Sequence, residues 1–410
     1  MKTRHRNLLI LFFIALPFLM TLLYIYKIYS DIPKEIYVYS NRDTIISLDI
    51  PVTAVIKETS QTVNFSRPVT IQAKQTGNYS LEYKLFNLIS LPSGKLSVLD
   101  SGNLYAGGFP VGFYLKTDGV LVADTAQFTD YYGNQVSPSS DSLLCGDYIV
   151  DINGESLSEK KKVADIIDKS QGETLNIGII RNEQYETVSI TPVMDSDGKF
   201  KLGIWVKDDS QGIGTVTYID KDGNYGALGH GINDSSSGNV LKISNGFLYK
   251  TNILSITKGH GDVPGEYIGT IDYSPSNRLG LIKENTSCGV YGTLSKDKCD
   301  NLINQYDLKP FEIGFNYQVH KGEAYVQVYL NGCINDYKIE ITDISNKSEK
   351  NITFKCVSEE LLEKTNGIVQ GMSGCPIIQD GKIVGAVTHV FISDSTMGYG
   401  IFIQSMLNKR

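Results

Sequence analysis

The sequence predicts a mostly β protein behind a single N-terminal helix. After residue 35, apolar and polar residues alternate in short segments, the pattern of half-buried strands. Glycines separate many of these segments, where turns are expected. One long uncharged apolar run, residues 7–26, stands apart from this pattern. Together these observations predict a transmembrane helix over residues 1–30, a small β unit over 31–100, and β-rich domains over 101–195 and 200–410.

Composition narrows the function classes. The 410 residues are 41% hydrophobic and 20% charged, as in ordinary globular proteins. A net charge of −7 and a pI near 5.4 speak against a general nucleic-acid binder, which needs a basic face. The six cysteines include no C-x-x-C pair, so neither a disulfide scaffold nor the usual zinc signature is expected. The sequence implies no cofactor.

The N-terminus predicts a membrane anchor. Lys2, Arg4 and Arg6 precede the apolar run, and twenty helical residues span about 30 Å, the thickness of a hydrocarbon core. The positive-inside rule places residues 1–6 in the cytoplasm and the rest of the chain outside. A cleaved signal peptide is the alternative, but it favours a shorter apolar core and small residues before the cut, whereas this run ends LLYIYK.

Residues 31–100 alternate β-branched and polar side chains, as in the segment TIISLDI at 44–50. This predicts short strands and indicates no chemistry, which is typical of a spacer or partner-docking module.

Residues 101–195 have a different organisation. Strands are predicted at 119–123 and 175–180, with a helix at 159–169 that carries Val163, Ile166 and Ile167 on one face. Residues 146–154 read G-D-x-I-x-x-I-N-G, and with this motif the segment resembles a PDZ domain. The resemblance implies that an extended peptide adds to a sheet edge and that loop amides hold its carboxylate. Val111, Gly112 and Phe113 are the predicted peptide-binding loop; the alternative is a plain glycine turn.

Residues 200–410 contain short alternating strands, clearest at 212–219, 324–330 and 383–390, and this pattern favours a barrel or a sandwich. Near the end, residues 371–376 read GMSGCP. A serine in a glycine-rich turn suits acyl transfer, because the nucleophile must project from backbone whose N–H groups stabilise an oxyanion. Ser373 is the candidate nucleophile, and the amides of Gly371 and Ser373 are the candidate donors. A turn without catalytic function is equally compatible with these residues.

A serine nucleophile needs a base, and histidine suits that role near neutral pH. The histidines are at positions 5, 230, 260, 320 and 389. His230 is the candidate, because it lies in a small-residue turn (GALGHGI, 226–232) that a partner can approach closely.

The anchor, the PDZ-like segment, the string GHGI and residues 364–379 (KTNGIVQGMSGCPIIQ) together resemble the SpoIVB family of sporulation serine peptidases. The resemblance implies a chymotrypsin-like double β-barrel with nucleophile Ser373 and base His230. It also implies a self-cleaving single-pass membrane protein whose ectodomain lies in the forespore intermembrane space. Its other partner would be a membrane-protein regulator of the protease that processes sigma-K.

The orienting acid departs from the family pattern. The family's aspartate lies fifteen residues before the serine, where this chain has Ser358. Three candidates for the residue that orients His230 remain open: Ser358 as a neutral orienter, Glu359 after a one-residue shift, and another acid such as Asp234. The missing aspartate also motivates a competing function, a non-catalytic PDZ adaptor with a degenerate peptidase fold.

Overall fold

The structure is a computed structural model. It describes residues 2–408 apart from residues 49, 101, 261–262, 346–349 and 392, and for residues 2–12, 14 and 31 it describes the backbone alone. The chain divides into two compact units, Met1–Gly102 and Asn103–Arg410.

The first unit is one helix followed by short strands. Its sheet is built by β1 (Glu35–Tyr39) pairing in parallel with β8 (Gly94–Leu99), and by the antiparallel pairs of β8 with β6 (Gly77–Leu85), of β6 with β3 (Val52–Ile56) and of β3 with β4 (Gln61–Asn64). Alternate residues of β3 and β6 are buried, as the alternation in the sequence predicts. The elements are α1 Lys2–Asp31, β1 Glu35–Tyr39, β2 Thr44–Ile46, β3 Val52–Ile56, β4 Gln61–Asn64, β5 Val69–Ile71, β6 Gly77–Leu85, β7 Ile89–Ser90 and β8 Gly94–Leu99.

The predicted anchor coincides with helix α1, which contains Pro17. The side chains of the predicted cytoplasmic segment, residues 1–6, and of residues 7–12 and 14 in the apolar run lie outside the described part of the chain. Within the described part, no helix is both long enough and apolar enough to cross a membrane.

The second unit contains the other elements. They are β9 Leu104–Ala106, β10 Pro110–Thr125, β11 Phe128–Thr129, β12 Gln135–Val136, β13 Tyr148–Ile152, β14 Glu155–Ser156, α2 Lys160–Lys169, β15 Leu175–Arg181, β16 Gln184–Ile190, β17 Val193–Met194, β18 Phe200–Lys201, β19 Ile204–Ile219, β20 Asn224–Ala227, β21 Ile243–Thr257, β22 Glu266–Ile271, β23 Arg278–Thr286, β24 Gly289–Leu294, α3 Lys296–Gln305, β25 Pro310–Ile313, β26 Gly322–Leu330, β27 Cys333–Ile344, β28 Ile352–Cys356, α4 Glu359–Thr365, β29 Pro376–Gln379, β30 Lys382–Val390, β31 Met397–Phe402 and α5 Ile403–Leu407. Short 3-10 turns lie at Pro275–Asn277 and Asn316–Gln318.

Two closed β-barrels form most of this unit. In the first, six strands pair in the cycle β10–β21–β23–β24–β20–β19–β10. In the second, six strands pair in the cycle β26–β27–β28–β31–β30–β29–β26. Closure removes free strand edges, and the inward-facing apolar residues of each barrel form a separate core. This confirms the predicted β-barrel architecture.

The PDZ-like segment shares two strands with the first barrel. Residues 111–117 of β10 pair with β21 in the barrel, whereas residues 120–121 pair with β13. Likewise, β19 pairs with β10 near residues 204–207 and with β20 near its other end. Helix α2 packs Val163 and Ile167 into a third apolar core, the face that its sequence pattern predicts.

Candidate active site

The turn that carries Ser373 precedes β29 and depends on two glycines. Gly371 and Gly374 have φ angles of 101° and 97°, in the left-handed region that favours glycine. A Cβ at Gly374 would lie 2.1 Å from the Thr215 carbonyl oxygen and 2.6 Å from the Leu228 nitrogen. Since only glycine permits this approach, Gly374 packs the nucleophile turn of the second barrel directly against the first.

Thr215 of β19 holds the same turn by two hydrogen bonds. Its backbone N–H donates to the carbonyl of Ser373 (3.1 Å), and its Oγ1 hydroxyl donates to the carbonyl of Gly371 (2.7 Å). The first barrel therefore fixes the conformation of a turn that belongs to the second.

His230 follows β20 in a tight loop on the first barrel. Leu228 and Gly229 have φ angles of 69° and 68°. A non-glycine residue in this region is strained, and such strain persists only where surrounding structure holds it. A Cβ at Gly229 would lie 3.1 Å from Cγ2 of Thr388, so the loop that ends at His230 packs closely on β30.

The His230 ring has the tautomer and charge state that a general base needs. Its Nδ1 lies 2.8 Å from the carbonyl oxygen of Gly231, and because a carbonyl only accepts, Nδ1 carries the proton. The Nε2 lone pair is then available to take a proton from a nucleophile. Desolvation lowers the pKa of His230 despite the opposing effect of the Gly231 hydrogen bond, so the ring is neutral at neutral pH.

The structure brings the turn of Ser373 and the loop of His230 together at Thr388. The Ser373 hydroxyl donates to the Thr388 carbonyl oxygen (2.8 Å), while Gly229 packs on the Thr388 methyl group. Proton transfer to His230 therefore requires the Ser373 side chain to leave this carbonyl. Catalytic hydrogen bonds often form only once substrate is bound.

The predicted oxyanion donors lie in the turn as expected. Among the described residues, the amides of Gly371 and Ser373 donate no hydrogen bond, whereas the next amide, that of Gly374, donates to the carbonyl of Val387 (2.7 Å). Their role as an oxyanion hole stays a prediction.

The orienting residues proposed from spacing have other positions in this structure, and their role stays a prediction. Ser358 is the N-cap of α4, where its hydroxyl accepts from the backbone N–H of Leu361 at 3.4 Å, and Glu359 is exposed in the first turn of that helix. Asp234, the third alternative, is buried and bonded to Lys207 and to backbone amides of its own loop. Within the described part of the chain, none of these three contacts the His230 ring; the Gly231 carbonyl occupies Nδ1 instead.

Cys375, two residues after the nucleophile, is fully buried. Desolvation raises the pKa of its thiol to about 12. Since the thiolate is the reactive form, Cys375 is a packing residue and not an alternative nucleophile.

The predicted peptide-binding loop is wrong. Val111, Gly112 and Phe113 lie inside β10, pair with β19 on one side and β21 on the other, and Val111 and Phe113 are buried in the core of the first barrel. A Cβ at Gly112 would lie 2.6 Å from the Ile271 side chain. Glycine is therefore needed here for close packing of a strand, and these residues offer no free edge to a peptide.

A different edge lies beside helix α2. Over residues 204–210, β19 pairs only with β10 in the described structure, and its opposite edge faces the side of α2, where the Lys160 amide donates to Asp208 (3.0 Å). Just before this edge, Gly203 has a φ of 72°, and a Cβ there would lie 2.5 Å from the Ala126 carbonyl. The Leu202 and Gly203 carbonyls accept hydrogen bonds, whereas their amides donate none among the described residues.

Sequence reasoning gave no role to His389. Its ring lies 4.9 Å from that of His230, centroid to centroid, with 36° between the planes. The sequence shows that His389 follows Thr388. It does not show that His389 contacts His230, because the two are 159 positions apart and no local pattern marks such a contact.

The model of the family described as SpoIVB peptidase S55 matches residues 198–407. No curated protein matches the chain. Similar solved structures include the PDZ domain of the SdrC-like protein from Listeria monocytogenes, which is 25% identical over 22% of this chain and 87% of that chain, with a TM-score of 0.19. The active form of the Rv3671c protease from M. tuberculosis is 14% identical over 49% of this chain and 74% of that chain (TM-score 0.29). The protease Anisep from Arthrobacter nicotinovorans is 14% identical over 49% of this chain and 89% of that chain (TM-score 0.29).

With a family match over half of its length, and with Ser373 and His230 on adjoining barrels, the chain belongs to the SpoIVB peptidase S55 family and is a serine peptidase.

Proposed function

We propose that this serine peptidase is a membrane-anchored endopeptidase of sporulation that cleaves itself and clips a membrane-protein regulator of the sigma-K processing protease. Membership of the SpoIVB family supports the sporulation role. The apolar run at residues 7–26, preceded by three basic residues, supports a cytoplasmic N-terminus and an ectodomain in the forespore intermembrane space.

One observation gives the main support for the peptidase activity in this proposal. The Ser373 turn and the His230 loop come from different barrels, and both contact Thr388, the first through its carbonyl and the second through its methyl group. A serine and a histidine of fixed tautomer held at one shared residue are close to the arrangement that acyl transfer needs.

The test uses the full chain in liposomes, as wild type and as Ser373→Ala, together with the purified regulator. Fragments of both proteins are followed by mass spectrometry, and a fluorophosphonate probe reports the reactive serine. Wild type is expected to yield fragments of itself and of the regulator, and Ser373→Ala neither. Labelled wild type that leaves the regulator intact would reject the substrate assignment while leaving the peptidase assignment in place.

The edge of β19 beside α2 is the proposed docking site for the C-terminus of a protein substrate. An extended peptide adds there as a strand, and the free amides of Leu202 and Gly203 bind its carboxylate. The apolar residues Ile204 and Val206, which are only partly buried beside α2, contact its side chains.

The docking site is tested with the full-length Ser373→Ala chain and the last ten residues of the regulator. The peptide with a free carboxylate is expected to bind at least about tenfold more tightly than its C-terminal amide, as expected for loss of a charge-assisted hydrogen bond. Gly203→Ala should abolish the difference, because a Cβ meets the Ala126 carbonyl. Gly198→Ala is the matched control, with a φ of 80° and no atom within 4 Å of an added Cβ. Equal binding of acid and amide would contradict the assignment.

A further inference from the structure

The base His230 has no carboxylate partner among the described residues. Its Nδ1 bonds to the neutral carbonyl of Gly231, which fixes the tautomer. In a typical triad the carboxylate also holds the imidazole plane in place. A single hydrogen bond to the neutral carbonyl of the adjacent residue restrains the ring less than a carboxylate does, so a further contact is needed to hold its plane.

The His389 ring is in the position to do so. It packs on the His230 ring with 4.9 Å between centroids, and it is the more exposed of the two. Strand β30 presents it there: Thr388 binds the Ser373 hydroxyl through its carbonyl, and the next residue, His389, covers the base. His389 is itself held by the strand, in register with Tyr399 of β31.

The charge state of His389 is compatible with this contact. Desolvation, the neighbouring His230 and then Lys350 lower the pKa of His389 to about 4. The ring is therefore neutral when His230 takes the serine proton, and it places no second positive charge beside the imidazolium.

We propose that His389 is the positioning residue of this active site: its ring packs against His230 and fixes the imidazole plane, a function that the orienting carboxylate serves in other serine peptidases. The inference rests on the peptidase activity of the chain, and not on the sigma-K substrate. It assigns His389 no proton transfer and no contact with substrate.

The test compares the full-length His389→Ala and His389→Phe variants with wild type, using an unrelated fluorogenic peptide and the rate of fluorophosphonate labelling. His389→Ala is expected to lower kcat about 10- to 100-fold with KM nearly unchanged, since misorientation of catalytic groups costs about this much. His389→Phe keeps a planar ring and is expected to recover most of the loss.

The pH profile separates positioning from a general loss of structure. Activity requires neutral His230, so it is lost as the pH falls through the pKa of that ring. Because desolvation lowers this pKa, the acidic limb of the wild type should lie below 6.5. Removal of the His389 ring admits water, so the limb of His389→Ala should move up towards 6.5, while that of His389→Phe should not.

The matched control is His320→Ala, an exposed histidine bonded to Asp380 (2.8 Å) on the same barrel. It is expected to behave as wild type. The inference is overturned if folded His389→Ala keeps wild-type kcat and pH profile, or if folded His389→Phe is as slow as His389→Ala. If wild type hydrolyses the peptide but spares the sigma-K regulator, only the proposed substrate fails.

Discussion

His230→Ala and Ser373→Ala are each expected to lower kcat/KM for a peptide about 10³- to 10⁶-fold, and the double variant no further than the more damaging single change. The nucleophile and its base act as one unit, so removing either removes nearly the whole catalytic contribution. The loss should fall in the lower part of this range, because the neutral Gly231 carbonyl stabilises the imidazolium less than a carboxylate does. Single-turnover hydrolysis measures the effect.

Two further variants test whether Glu359 or Ser358, the residues at the spacing of the family's aspartate, orients His230. Glu359→Gln should keep activity within about threefold of wild type, because its carboxylate is exposed on α4. Ser358→Ala should also stay active, but lose about 1 kcal/mol of unfolding free energy with its N-cap. A loss in Glu359→Gln comparable to that in His230→Ala would show that the base is oriented by Glu359.

Gly374→Ala is expected to abolish fluorophosphonate labelling and to lower the free energy of unfolding by about 2–4 kcal/mol. Its backbone adopts a φ of 97°, and a Cβ would lie 2.1 Å from the Thr215 carbonyl and 2.6 Å from the Leu228 nitrogen. The turn must then move away from the first barrel, which separates Ser373 from the His230 loop. Chemical denaturation and the labelling rate check both effects.

Gly381→Ala is the matched control for backbone strain. Gly381 has a φ of 72° and no atom within 4 Å of an added Cβ, so this variant has the strained torsion without the clash. It should lose about 1 kcal/mol of unfolding free energy and label normally. Normal labelling of Gly374→Ala would contradict the conclusion that this contact assembles the site.

Local patterns in the sequence were sufficient for the strands and for the helix near residues 160–169. Alternation of apolar and polar residues with a period of two predicts which residues of a strand face the core. This alternation is a property of neighbouring residues, so the sequence alone reveals it. The segments 212–219, 324–330 and 383–390 accordingly lie within β19, β26 and β30. Motifs and family resemblance likewise pointed to Ser373 and His230 as candidates, because a glycine-rich serine turn is a local requirement of the chemistry.

Local patterns were insufficient where one pattern has two tertiary solutions. Glycine between apolar residues at 111–113 suits both a binding loop and a buried strand, and packing of Ile271 on Gly112 decided for the strand. Spacing from Ser373 pointed to Ser358 and Glu359, but a helix begins there and uses Ser358 as its cap.

The sequence by itself determined the β-rich class and the short strands, and it supplied the candidates for nucleophile and base, since each depends on residues close together in the chain. Tertiary structure alone decided which groups surround the base and which strand edge is open. The decisive contacts join residues that are far apart in sequence: His230 with His389, Gly374 with Leu228, and β19 with β10 along the open edge. They exist only because barrel closure and the tight approach of two barrels place those backbones next to each other.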